Sequence, residues 1–197
     1  MKELGLLSNV NISNIDKCDV CVESKSTKKT CKPVLERENE LLGLIHSDLG
    51  DSKQTITRGG KKLYITFIDD YSRYTRVYLL RSKDEVIKMF LTYKNEVENQ
   101  LNKKIKRLRM DRGGEYESYD LDSFCRDHSI IHETTRPYSP QSNGVGERKN
   151  RILKEMVNAM LISFGALFNL LGEAMLSACY IQNIILFKKT SKTPYEL

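Results

Sequence analysis

Three short apolar runs between residues 41 and 80 constrain the fold of this chain more than any other feature. LLGLIHSDL, KKLYITFIDD and YTRVYLL are rich in branched and aromatic residues and too short for helices, so each reads as a strand. RGG at 58–60 and DDYSR at 69–73 supply turn chemistry between them. Strands so close in sequence predict a meander. Ser82 then opens a capping box with Glu85, and Val86, Met89, Phe90, Tyr93 and Val97 follow at spacings that share one helical face. Beyond it come a strand in KIKRLRM, a turn at 111–114, a helix around YDLDSFCRDH, a strand in SIIHET and a proline-bearing loop in TRPYSPQSNG. A long helix is expected from Asn143 or Val145, with Ile152, Leu153, Met156, Val157, Met160 and Leu161 inward, and a final helix over about 170–187. Strands first, then alternating helices and strands, predict an α/β fold around a mixed sheet.

The composition suits such a fold. With 197 residues, 40% of them hydrophobic, the chain can bury one core and has little room for a second. No apolar segment with a cleavage site opens the chain, so export is not expected. AMLISFGALFNLLG and AMLSACYIQNIILF are greasy, but Glu173 separates them and Asn169, Gln182 and Asn183 interrupt them. Neither reaches the roughly 18 apolar residues of a membrane span, so they read as buried helices and no membrane partner is expected. An odd count of five cysteines points to unpaired thiols in a reducing compartment, with Cys125 and Cys179 as core fillers. A net charge of +6 is compatible with a polyanionic partner.

Three acids stand where chemistry is possible. Asp48 and Asp111 each lie at or near the end of an apolar strand, from which a carboxylate can reach a ligand or metal. Glu147 lies in the first turns of the long helix, among Arg148, Lys149 and Arg151. Together they would suit hard divalent cations, and two such ions about 4 Å apart can clamp the attacking and leaving oxygens of a phosphodiester. Each acid also has a structural reading: Asp48 and Asp111 as turn residues, and Glu147 as a first-turn carboxylate favoured by the helix dipole and Arg151. Asp69 and Asp70, between close strands, read as a turn.

HSDLG around Asp48, GGKKLYITFIDDYSRYTRVYLL, FLTYKNEVENQ, KIKRLRMDRGGEY around Asp111, TTRPYSPQSNGVGERKNR around Glu147, and KTPYEL follow one another along the chain. In content and order these blocks resemble the integrase catalytic domain of copia-type long-terminal-repeat retrotransposons, in particular the plant elements, over residues 38–197. The resemblance implies a ribonuclease H-like fold, a five-stranded mixed sheet flanked by helices. It implies that Asp48, Asp111 and Glu147 are catalytic and hold Mg²⁺ or Mn²⁺; the 35 residues between Asp111 and Glu147 match the family's interval. The implied reaction is phosphoryl transfer on double-stranded DNA: trimming of a 3′ end, then attack of the freed hydroxyl on a target phosphodiester. Asn143 is expected as a helix cap or DNA contact, and Arg148, Lys149 and Arg151 as nucleic-acid-binding residues. A homo-oligomer is compatible with this family, and an active integrase would work in the nucleus.

Other segments are less complete. Cys18 and Cys21 in KCDVC have the spacing of half a tetrahedral zinc site and resemble the second half of the family's zinc-binding module. No histidine precedes them; His46, His128 and His132 lie downstream, where strand or helix-end roles are expected, and Cys31 is not expected to complete a site. Residues 1–37 therefore read as a truncated remnant of that module with its linker, and bound Zn²⁺ is not expected. Lys103, Lys104, Lys106, Arg107, Arg109 and Arg112 form a basic stretch that suits either phosphates or solvent. GDSKQ replaces the family's usual glycine-proline after the first aspartate, Gly146 its alanine and Leu171 its tryptophan. With the stop at Leu197, these departures give the alternative expectation: a catalytically dead DNA-binding or interaction protein derived from an integrase.

Overall fold

In order along the chain, a computed structural model contains α1 (Asp19–Ser24), β1 (Ile45–Asp51), β2 (Leu63–Asp69), β3 (Thr75–Leu80), α2 (Val86–Leu101), β4 (Arg107–Met110), α3 (Tyr119–Asp127), β5 (Ile131–Thr134), α4 (Gly144–Phe164) and α5 (Leu171–Ile184). It describes residues 18–25, 37–51, 56–110, 119–134, 144–186 and 191–197. The five strands form one sheet of order β3-β2-β1-β4-β5. β1, β2 and β3 are antiparallel neighbours, whereas β4 runs parallel to β1 and β5 parallel to β4. The expected meander and mixed sheet are both present.

Alternation along the strands divides the core in two. Ile45, Ile65, Phe67, Leu108 and Met110 face one side and pack with Val86, Phe90, Tyr93 and Val97 of α2 and Leu121 and Cys125 of α3. Phe67 stacks on Tyr93 with ring centroids 4.8 Å apart, a geometry that adds to simple area burial. On the other side Tyr64 and Val77 pack with Leu153, Val157 and Leu161 of α4 and Met175, Ala178 and Cys179 of α5. No helix among the described residues is long and apolar enough to cross a membrane.

Several local expectations differ in detail. Ser82 makes no side-chain cap bond; a 3-10 turn at Lys83–Glu85 precedes α2, and Glu85 instead accepts the Arg81 N–H at 2.8 Å. The first strand starts at Ile45 rather than Leu41, because Leu42 takes a left-handed conformation (φ 62°) in the preceding turn. Ile152, expected inward on α4, is exposed; the inward stripe is Leu153, Val157 and Leu161, with Met156 and Met160 packed against it. A straight 3.6-residue helix presents only so wide a face, and Ile152 lies just outside it. In the segment expected as a remnant, α1 packs against α4.

The DDYSR turn is a buried polar knot. Asp69 accepts the Leu42 N–H at 2.9 Å through one oxygen and both the N–H and hydroxyl of Ser72 at 2.7 Å through the other. Asp70 accepts His46 Nε2 at 3.0 Å and the Arg73 guanidinium at 2.9 Å, and its other oxygen takes the Glu38 N–H. The turn reading of both aspartates therefore holds.

Candidate active site

Asp48 lies near the end of the central strand β1, on the face that α4 covers. Its position follows from alternation: Ile45 is committed to the α2 side, so His46, Asp48 and Gly50 face α4. Asn150 of α4 donates through Nδ2 to Asp48 Oδ2 at 2.5 Å. Glu147 precedes Asn150 by three residues on the same helix, so the two are neighbours on one helical surface. One hydrogen bond thus brings the strand that carries the first acid against the helix that carries the third. Glu147 itself is exposed, in the first turn of α4.

Asp111 lies outside the described residues, as do Asn143 and Arg112. Its predecessor Met110 ends β4, and its register partner on β1 is Ser47, the residue before Asp48. The other expected positions separate. Arg148 is exposed beside Glu147, Arg151 is half-buried, and Lys149 turns inward to donate to Gln182 of α5 at 3.1 Å. Burial lowers the Lys149 pKa to about 8, with the nearby Arg73 charge acting in the same direction and Cys179 opposing it. Lys149 is therefore an internal tie between α4 and α5.

The basic stretch is also engaged. Lys104 pairs with Glu98, Lys106 with Glu40, Arg107 with Glu38 and Glu133, and Arg109 with Glu133. His128 donates to the Phe124 carbonyl at the end of α3, and His132 pairs with Asp122. Cys18 starts α1 and forms no disulfide; the side chain of Cys21 lies outside the described set.

Asn150 and Tyr64 were not singled out by sequence reasoning. The one signal for Asn150 was its spacing of three from Glu147. Tyr64 is opposite Gly50 in the β1–β2 register and shares its face. A Cβ on Gly50 would lie 2.0 Å from the Tyr64 ring and 2.2 Å from its hydroxyl oxygen, so only glycine fits beneath that ring. Burial, then the charges of Asp48 and Asp51, push the Tyr64 pKa well up, which keeps the phenol protonated.

Among the described residues no three His, Cys, Asp or Glu side chains gather as a metal site. The donors that are described nevertheless fit a hydrated Mg²⁺. Asp48 and Glu147 offer hard oxygens, and Asn150 Oδ1 and the Tyr64 hydroxyl are buried without hydrogen-bond partners. Buried polar atoms are rarely left unpaired in folded proteins, so this hydrogen-bonding capacity beside Asp48 suits a bound, water-carrying ion.

The strand order and the placement of Asp48 on the central strand define a ribonuclease H-like fold. Two solved structures share it: a simian T-cell lymphotropic virus intasome in complex with PP2A regulatory subunit B56 gamma, and the HTLV-2 integrase catalytic core domain in complex with magnesium in its trimeric form. The first has a TM-score of 0.67 at 19% identity, over 91% of this chain and 62% of that one. The second has a TM-score of 0.60 at 22% identity, over 81% and 97%. The family model described as "Integrase core domain" matches residues 38–140. The chain is 39% identical over 179 residues to the retrovirus-related Pol polyprotein from transposon TNT 1-94 of Nicotiana tabacum, covering 91% of this chain and 14% of the polyprotein. It is 31% identical over 157 residues to that from transposon RE1 of Arabidopsis thaliana, covering 77% and 10%. The chain belongs to the integrase core-domain family and is related to the Pol polyproteins of plant copia-type retrotransposons. It spans only a small part of the curated relatives that it matches.

Proposed function

We propose that this chain is an integrase catalytic domain that performs metal-dependent phosphoryl transfer on double-stranded DNA, trimming a 3′ end and joining it to a target. The observation that carries this reading is the Asn150–Asp48 hydrogen bond, which ties the strand of the first acid to the helix of the third. Asp48, Asp111 and Glu147 are the residues that would hold Mg²⁺ or Mn²⁺. Bound there, such ions supply Lewis acidity that activates the attacking oxygen and offsets charge on the phosphodiester. The magnesium in the HTLV-2 structure is consistent with that choice. Asn150 fixes the Asp48 carboxylate, and Arg148, exposed beside Glu147, faces solvent where a DNA phosphate can approach. Arg151 lies one turn after Glu147, and Asn143 directly precedes α4. No side chain needs to act as a covalent nucleophile.

Assembly as an oligomer on DNA and action in the nucleus belong to the same proposal. A strand-transfer assay with Mg²⁺ or Mn²⁺, run beside Glu147→Gln, tests it. Joining that disappears in the variant is the expected result. Joining unaffected by Glu147→Gln rejects the assignment, whereas DNA binding without cleavage or joining favours the non-catalytic alternative.

A further inference from the structure

We infer that Tyr64 is a positioning residue for Asp48, its hydroxyl donating to that carboxylate when the carboxylate holds a divalent cation. This inference rests on the metal-dependent reading of the site. Tyr64 is 2% exposed, its ring is wedged between β1 and α4 in the cluster of Leu153 and Val157, and its hydroxyl has no hydrogen-bond partner. Its neighbours specify where the hydroxyl lies. Gly50, its register partner, makes room for the tip of the ring, so the hydroxyl lies over β1, and Asp48 is two residues before Gly50 on the same face. The charge of Asp48 is felt at the phenol. A diagonal pair of this kind lies within reach of a side chain as long as tyrosine.

A buried hydroxyl without a partner costs stability, and phenylalanine would fill the same volume without that cost. Its presence has a physical reason if the hydrogen bond forms in the loaded site. Asn150 already donates to Oδ2 of Asp48, and a carboxylate has lone pairs for several donors. Rotation of the Asp48 carboxyl group on binding a cation would let the Tyr64 O–H donate to it. Hydrogen bonds to a ligating carboxylate orient it and raise metal affinity, typically by about 10- to 100-fold.

Mn²⁺ binding, followed by calorimetry and by the paramagnetic signal of free Mn²⁺, tests this without turnover. Wild type, Tyr64→Phe, Asp48→Asn and Tyr93→Phe would be compared, with thermal melts in the absence of metal. Tyr93 is the control, since its hydroxyl is also buried and unpartnered but belongs to the core on the opposite face of the sheet. Tyr64→Phe should bind Mn²⁺ about tenfold more weakly or worse while melting without metal at or above the wild-type temperature. Tyr93→Phe should bind as wild type does. Wild-type affinity in Tyr64→Phe, equal weakening in Tyr93→Phe, or a metal-free melting temperature lowered in Tyr64→Phe would each overturn the inference. Mn²⁺ binding that is absent from the wild type, or indifferent to Asp48→Asn, would instead defeat the metal reading of the site, and this inference with it.

Discussion

At the scale of single residues, the site depends on what Asp48 touches more than on Asp48 alone. Asn150 lies 102 positions away in sequence, and its amide is buried with Nδ2 on the carboxylate. Asn150→Ala should therefore leave the fold intact but release Asp48, lowering strand transfer by about 10- to 100-fold with a parallel loss of Mn²⁺ affinity. Single-turnover joining assays beside circular dichroism check this. Gly50 makes a second, purely steric prediction. Its missing Cβ is the space that Tyr64 occupies, so Gly50→Ala should destabilise the domain by about 1–3 kcal/mol in urea unfolding. In Tyr64→Ala the added methyl meets nothing, and the double mutant should show a coupling of about 0.5–3 kcal/mol in the cycle. Additive losses would mean that ring and glycine are not in contact. Asp48 was legible in the sequence because a carboxylate ending an apolar strand is conspicuous. Asn150 and Tyr64 were not, since an asparagine on a helix and a tyrosine in a strand are ordinary until the fold sets one on the Asp48 carboxylate and the other over Gly50.

At the scale of elements, local periodicity was enough for the strands and for the inward face of α2. Hydrogen bonds that join elements were beyond it. The expected capping box at Ser82 did not form, and Asn183, which looks like an interruption of a greasy helix, receives the Thr75 N–H and donates to its carbonyl at the start of β3. The Asp70 knot is another such junction, tying the segment before β1, β1 itself and the β2–β3 turn through Glu38, His46 and Arg73. Burial alone would raise the Asp70 pKa, but the His46 hydrogen bond and the Arg73 charge outweigh it and hold the group below the usual carboxylate value. A carboxylate with a depressed folded pKa binds protons more readily when unfolded. Its contribution is thus complete above about pH 4 and is lost as the pH falls toward the lower folded value. Melting temperature should drop on acidification through that window, and Asp70→Asn should flatten the drop. Asp70→Ala should cost about 3–5 kcal/mol at neutral pH, because Arg73 would remain buried without its counter-charge.

For the whole molecule, a net charge of +6 is a poor guide to where a polyanion would bind. Four members of the densest basic stretch are paired by the fold itself: Lys104, Lys106, Arg107 and Arg109 each meet a glutamate, and three of those glutamates come from elsewhere in the chain, at positions 38, 40 and 133. Sequence showed the cations and the glutamates but not their pairing, which needed β4 to lie between β1 and β5. Lys149 is withdrawn in another way, by its turn toward Gln182. Among the described residues, Arg148 is exposed and adjacent to Glu147. Binding of duplex DNA should follow that distribution and not the linear density of charge. Arg148→Ala should weaken binding across unrelated sequences and reduce the slope of log affinity against log salt by about 1, as loss of one phosphate contact requires. Lys106→Ala, which removes a charge already paired with Glu40, should leave both affinity and slope near wild type. Fluorescence anisotropy over a salt series separates the two. If Lys106→Ala weakens binding as much as Arg148→Ala does, DNA lies along β4 and not along the start of α4, and the phosphate contacts must be sought on the opposite side of the carboxylates.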